Sequence, residues 1–222
     1  MEEARQHPAV ITLGFDPGGI GNFGCACIDC ATGNAHTKTV DSVDAAIEYV
    51  LGIKAKEKVV SAGIDTLLHW QSTPSGWRGA DEFLREKYQK TYKSVMCANE
   101  LRGAMTIQGA VLAGRLREVW PKLFLTETHP KVLWHCLQKG VEYPRQEAWK
   151  ANASATVKGW LSNKGYTGEI RNEHEFDAVF SGWAALQAYS ANWKRDLFMI
   201  KAINQKSGNI SVVPDLHYFW PE

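Results

Sequence analysis

Long apolar runs are the first thing this 222-residue sequence lacks. None reaches the roughly eighteen residues that a membrane-spanning helix needs, so no membrane partner is expected. A strong charge of either sign is missing too: 25 Lys and Arg against 24 Asp and Glu leave a net +1. That excludes a protein holding nucleic acid by bulk charge; a polyanion site must be local, or must neutralise phosphates with metal ions. The opening MEEARQHPAV has none of the basic and then apolar character of a secretory signal. Cysteines number five, an odd count in a chain too long to need disulfide staples. They are expected as reduced thiols in a cytoplasmic protein. Internal repeats, low-complexity tracts and long linkers are absent as well, so residues 1–222 are expected to fold as one domain.

What the chain does have is an ordered alternation of patterns. The stretches 9–16 (AVITLGFD), 23–29 (FGCACID) and 35–40 (AHTKTV) read as strands joined by short Gly-rich turns, an antiparallel meander. Residues 41–53 read as a helix with Ser42 as N-cap and Gly52 near its end, and 58–65 (KVVSAGID) as a fourth strand. A turn-rich segment leads to charged and apolar helices at 80–93 and about 104–120, a helical insertion spanning about 66–120. Then come a fifth strand at 122–127, a helix at 130–140 closed by Gly140, and helices at about 146–163 and 173–192. The tail ISVVPDLHYFWP reads as an added edge strand. Nine tryptophans are many for this length, and Trp160 and Trp183, within helical patterns, read as packing residues. The fold class expected is α/β: a mixed five-stranded sheet with helices on both faces.

Three strands end in an acid followed at once by turn residues: Asp16 before PGG, Asp65 before TLLHW and Glu127 before THP. In open α/β sheets ligands gather outside the carboxyl ends of strands. Carboxylates collected there repel one another, and Mg²⁺, which prefers hard oxygen ligands, relieves the repulsion. The last helix has a matching surface. Glu173, Asp177, Ser181, Ala184 and Ala188 recur at three- and four-residue spacing, a narrow stripe that can lie close to a sheet and carry Asp177 to the strand ends. Each acid alone is readable as a turn or solvated residue; the case is the combination. Cys25-x-Cys27-x-x-Cys30, with His36, suggests zinc, but no second ligand pair is evident. On a strand, Cys25 and Cys27 share a face and serve as small packing residues.

Taken in order, ITLGFDPGG…GCACID, VVSAGIDTLL, LFLTETHPKVLW and HEFDAVFSGWAAL resemble the ribonuclease H-like superfamily. Within it the chain is most similar to the group called domain of unknown function 429, described as predicted RuvC-like nucleases. WRGADEFLREKY looks like that group's Arg-x-x-Asp-x-x-x-Arg segment, which places Arg78, Asp81 and Arg85 in it. The resemblance implies a ribonuclease H-like fold and a nuclease that hydrolyses phosphodiester bonds with two Mg²⁺ or Mn²⁺ ions. Its catalytic and metal-binding residues would be Asp16, Asp65, Glu127 and Asp177, with Arg78, Arg85 or His129 on the phosphate and nucleic acid as partner. Where the group has paired aspartates ahead of its last acid, this chain has Glu173 and His174. His129 reads equally as a helix-start residue. The basic face of Arg85, Lys87, Lys90 and Lys93 could track a nucleic-acid backbone, or be a solvated face balanced by Asp81, Glu82 and Glu86.

Two alternatives stand beside that reading. One is a non-catalytic nucleic-acid or protein-binding module on a degenerate nuclease fold, consistent with the near-neutral charge. The other is a nucleotide-binding phosphotransferase of sugar-kinase or actin type. That type also opens with an Asp and glycines on a hairpin, but it needs a second related domain. The glycines here also lack the Lys-Ser/Thr ending of a phosphate loop.

Overall fold

The computed structural model describes residues 10–53, 58–139, 141–144, 153–206 and 208–221. The first half runs β1 (Ile11–Asp16), β2 (Phe23–Asp29), β3 (Asn34–Val40), α1 (Val43–Leu51), β4 (Val59–Ile64), β5 (His69–Trp70), α2 (Gly79–Lys87) and α3 (Gly103–Val119). The second half runs β6 (Phe124–Glu127), α4 (Pro130–Leu137), α5 (Ala153–Asn163), α6 (Glu173–Tyr189), β7 (Arg195–Asp196), β8 (Ile210–Ser211), β9 (Leu216–His217) and β10 (Phe219–Trp220). The fold is α/β. One six-stranded mixed sheet has the order β3-β2-β1-β4-β6-β9, and two short ribbons pair β5 with β8 and β7 with β10. β1 to β3 form the antiparallel meander, while β4, β6 and β9 continue parallel to β1.

The sheet therefore has six strands where the sequence predicts five. The sixth, β9, comes from the tail read as an edge strand; its two residues pair Leu216 with Leu125 and His217 with Thr126. The helix expected over 80–93 stops at Lys87 and tightens into a 3₁₀ turn over Gln89–Ser94. Arg85 is one cause, since its Nη1 donates to the carbonyls of Tyr92 and Val95 and folds that turn back. The last helix ends at Tyr189 rather than 192, because Ala191 takes a left-handed φ of 57°. Gly140, expected to close α4, and residues 146–152 of the next expected helix lie outside the described residues. Ser42 does cap α1, its side chain accepting from Ala45 N–H at 3.2 Å.

Strand alternation sorts the core into two layers. Ile11, Leu13 and Phe15 of β1 face α1 and α3 and pack with Cys25, Cys27, Ile47, Leu112 and Leu116. All three cysteines of the 25–30 stretch are buried free thiols, as packing residues would be. Across the sheet, Trp134, Trp160, Phe176, Phe180 and Trp183 of α4, α5 and α6 form an aromatic cluster. Thr12, Gly14 and Asp16 point to this second face.

The closest approach between the layers is α6 over the centre of the sheet. Gly14 of β1 pairs with Gly63 of β4, and Gly24 of β2 pairs with Asp16. A Cβ on Gly14 would stand 1.8 Å from the Ala178 carbonyl oxygen, one on Gly63 2.1 Å from that of Ser181, and one on Gly24 1.9 Å from that of His174. Three adjacent strands thus present bare backbone to the helix. Polar clasps fix its register: Thr12 Oγ1 donates to the Gly182 carbonyl at 2.9 Å, and Thr128 Oγ1 to Ser181 Oγ at 2.8 Å. Gly14→Ala should therefore destabilise the fold by about 1–3 kcal/mol or more, because backbone cannot yield as a flexible side chain can. Guanidinium unfolding would measure this; a loss below about 0.5 kcal/mol would contradict the packing.

Candidate metal centre and its cavity

Seating α6 on that bare strip determines where its acid falls. Asn172 caps the helix, accepting from Glu175 N–H at 2.9 Å, and Glu175 accepts in turn from Thr37 Oγ1 of β3 at 2.9 Å. With its start pinned to β3, the helix crosses β2 and β1 and brings Asp177 over their ends. Asp16 is the last residue of β1, and Asp65 follows β4 directly, its amide donating to the Phe15 carbonyl at 2.9 Å. One carboxylate oxygen from each of Asp16, Asp65 and Asp177 lies within 4.8 Å of the others. Asp16 and Asp177 are buried, and Asp65 is half-buried.

Such crowding is unfavourable for three anions. Burial and then the charge of Asp16 push Asp177 from 3.8 up to about 8, against the pull of Lys131 and of the Tyr143 hydroxyl that donates to it. Asp65 is held well above its ordinary value by burial and then by Asp16 and Asp177. Burial also raises Asp16, but His174 limits the rise, with Nδ1 at 2.7 Å from Asp16 Oδ2. That hydrogen bond raises His174 in return. Lys131 Nζ stands 3.0 Å from Glu173 Oε1; although burial opposes its charge, Asp177 and Glu173 hold it above the ordinary lysine value. Glu173 and His174, the pair that this chain carries ahead of its last acid, thus hold Lys131 and clamp Asp16 respectively.

Glu127 ends β6 next to Asp65 but is spoken for. Arg78 Nη1 and Nη2 donate to its two oxygens at 2.8 and 2.7 Å, and the Leu68 amide at 2.9 Å. Burial would raise its pKa; the charges of Arg78 and then His69 overcome this and bring it to about 2. Arg78 is 1% exposed, and its remaining donors go to Asp81, Nε at 2.9 Å and Nη2 at 2.6 Å, and to the His69 carbonyl, Nη1 at 3.3 Å. Arg85 is directed to backbone carbonyls and lies over Trp77, 4.4 Å from the ring centroid. Of the seven site residues predicted, Asp16, Asp65 and Asp177 are brought into one cluster. Glu127 and Arg78 form a second, ion-paired cluster with Asp81 beside it, and Arg85 joins neither.

A cavity of about 310 Å³ opens beside the acids. Asp65, Arg78, Glu127, His129 and Lys131 contribute to its lining, together with Val95, Met96, Leu101, Arg102 and Met105. His129 Nε2 donates to the Ser94 carbonyl at 3.0 Å, and burial lowers the ring to about 4, so it is neutral at pH 7. Its Nδ1 is then a buried acceptor without a partner. His69, Lys131, Tyr143 and Arg102 escaped the sequence reading. Only Lys131 carried a local signal, as the residue directly after the His129-Pro130 pair.

The donor set fits a hard divalent cation: three carboxylates, one oxygen each, converging where their own repulsion is unrelieved. The pH dependence of stability tests this. With Asp177 raised, the folded metal-free chain keeps a proton that the unfolded chain releases, so stability is complete below about pH 4 and falls as pH rises through 8. His174, also raised, acts in the same direction. Glu127, depressed to about 2, acts oppositely only below about pH 4.5, and His129, depressed to about 4, acts oppositely up to about pH 6.5. At ~1.4 kcal/mol per pKa unit, the fall is unopposed between pH 6.5 and 8, where Asp177 alone contributes about 2 kcal/mol. Saturating Mg²⁺ should flatten it. A melting temperature of the metal-free protein that is level or rising across that window would contradict the cluster.

Among the described residues no helix is long and apolar enough to cross a membrane. The family model described as "Protein of unknown function (DUF429)" matches residues 14–193, a span that includes Asp16, Asp65, Glu127 and Asp177. No curated protein matches the chain.

Proposed function

From the premise that the chain belongs to the DUF429 family, we propose that it is a ribonuclease H-like hydrolase that cleaves phosphodiester bonds with Mg²⁺ or Mn²⁺. The observation that carries this is the convergence of Asp16, Asp65 and Asp177 from β1, β4 and α6 at the carboxyl ends of parallel strands. The meander β3-β2-β1 continued by parallel β4 and β6 supports the ribonuclease H-like placement.

Asp16, Asp65 and Asp177 would hold the cation, which when bound would supply charge neutralisation at the phosphate and a bound water more acidic than bulk water. The rest belongs to the chain itself. His174 orients Asp16 through its Nδ1 contact, and Tyr143 orients Asp177. Lys131, close to the acids and charged, is placed to attract the phosphodiester. Hydrolysis forms a bond from a water oxygen to phosphorus and breaks one ester P–O bond; the water's proton ends on solvent or on the departing alkoxide. Glu127 has no proton to exchange near pH 7, given Arg78, and serves to hold the wall of the site.

The test is a nuclease panel on single-stranded, duplex and junction substrates with Mg²⁺, Mn²⁺ or chelator, and Asp16→Asn as control. Cleavage that needs metal and disappears in Asp16→Asn is expected. Cleavage surviving that substitution would sink the mechanism. Metal binding without cleavage of any substrate would point instead to a binding module on this fold.

A further inference from the structure

The cavity beside the acids lies outside the metal-binding trio apart from Asp65, and its chemistry is specific. Its volume of about 310 Å³ is at the small end of ligand sites, which run from about 300 to 1,000 Å³. A stretch of double helix cannot enter such a space; one nucleotide can. Val95, Met96, Leu101 and Met105 supply an apolar lining, and thioethers pack favourably on flat aromatic rings. One polar atom there is unpaid: His129 Nδ1, buried and without a partner, is an acceptor awaiting an N–H. The Arg78 guanidinium is taken up by Asp81 and Glu127, whereas Arg102 is exposed at the start of α3.

We propose that this cavity seats a single unstacked nucleotide, its base against Met96, Leu101 and Met105, a base N–H on His129 Nδ1, and its phosphate toward Asp65 and Arg102. This rests on the reading above for the phosphate's fate, but not for the cavity itself. The substrate class follows. The enzyme acts on a phosphodiester that joins one unpaired nucleotide to the rest of a strand, and not on one within a duplex. A buried acceptor discriminates as well, because a base with no N–H at that edge leaves His129 Nδ1 unpaired in the complex.

The experiment is calorimetric titration of the full chain with AMP, with a single-stranded oligonucleotide and with its blunt duplex, each with and without Mn²⁺. Cleavage is not required for any of these readings. AMP binding identifies a free nucleotide as sufficient; binding of the single strand without AMP binding identifies an unpaired end as the source. Either supports the proposal if the duplex binds at least roughly tenfold more weakly. Met105→Trp, which fills the cavity, should weaken nucleotide binding by a further factor of roughly ten or more. Its thermal shift with Mn²⁺ should stay that of the parent, which also shows that it is folded. Arg102→Ala, a change at an exposed residue, should weaken nucleotide binding severalfold. The proposal is overturned if duplex and single strand bind equally, or if neither variant alters nucleotide affinity. A failed metal hypothesis shows separately, as a missing Mn²⁺ shift in the parent chain.

Discussion

Asp65→Asn is expected to make the metal-free protein more stable and to abolish its stabilisation by metal. The two effects have one cause. Asp65 is held well above the ordinary carboxylate range by burial and by Asp16 and Asp177, so at pH 7–8 its ionised form is a cost of folding. Asparagine keeps the shape and removes that cost. A gain of about 1–2 kcal/mol would raise the melting temperature by roughly 2–8 °C for a chain of this size. The same change deletes one of three carboxylate ligands. A cation at 100 times its dissociation constant stabilises by about 2.7 kcal/mol, and in the variant that increment should vanish. Metal-dependent hydrolysis should fall by about a thousandfold or more, since several kcal/mol of transition-state stabilisation go with the ion. Melting curves of parent and variant, with and without Mg²⁺, give all four corners of the comparison. A variant less stable than its parent without metal, or one keeping the full metal shift, would refute the electrostatic account.

That opposition of stability and function also explains which parts of the site were legible in the sequence. Asp16, Asp65 and Asp177 could be placed because strand and helix periodicities are local, and because small residues opposite one another announce a close approach. Thr12 and Gly14 share a face with Asp16; Ser61 and Gly63 lie below Asp65; Ser181 and Ala184 follow Asp177. The partners of Glu127 were not legible. Arg78 lies 49 positions away in sequence, and its motif reads equally well as a phosphate-binding surface. Only the folded path of residues 66–81 over the ends of β4 and β6 spends that guanidinium on two carboxylates. β9 escaped a firm assignment for another reason: two residues are too few to show alternation. The cavity had no signature at all, since its walls come from loops and helix ends whose meeting depends on every other contact.

Arg78→Met is expected to cost about 3–5 kcal/mol, the largest stability loss of any single change here. The guanidinium is sandwiched between Asp81 and Glu127, bidentate to each, and all three side chains are at most 2% exposed. Methionine matches the stem but leaves two anions buried without a cation. Because whole domains are stable by only about 5–15 kcal/mol, such a loss approaches unfolding. Burial should then push Glu127 up from about 2, so the variant should recover part of its stability on acidification toward pH 4, a steeper gain than the parent shows over the same range. Neutralising the whole group separates charge from shape. Adding Asp81→Asn and Glu127→Gln to Arg78→Met should restore much of the lost free energy, since no unpaired ion remains. Arg78→Lys should fall between, because one ammonium cannot serve two carboxylates bidentately. Denaturant unfolding at pH 4 and 7 measures each step. A loss below about 1 kcal/mol in Arg78→Met, or no recovery in the triple variant, would mean that the network does not pin residues 66–81 over the strand ends.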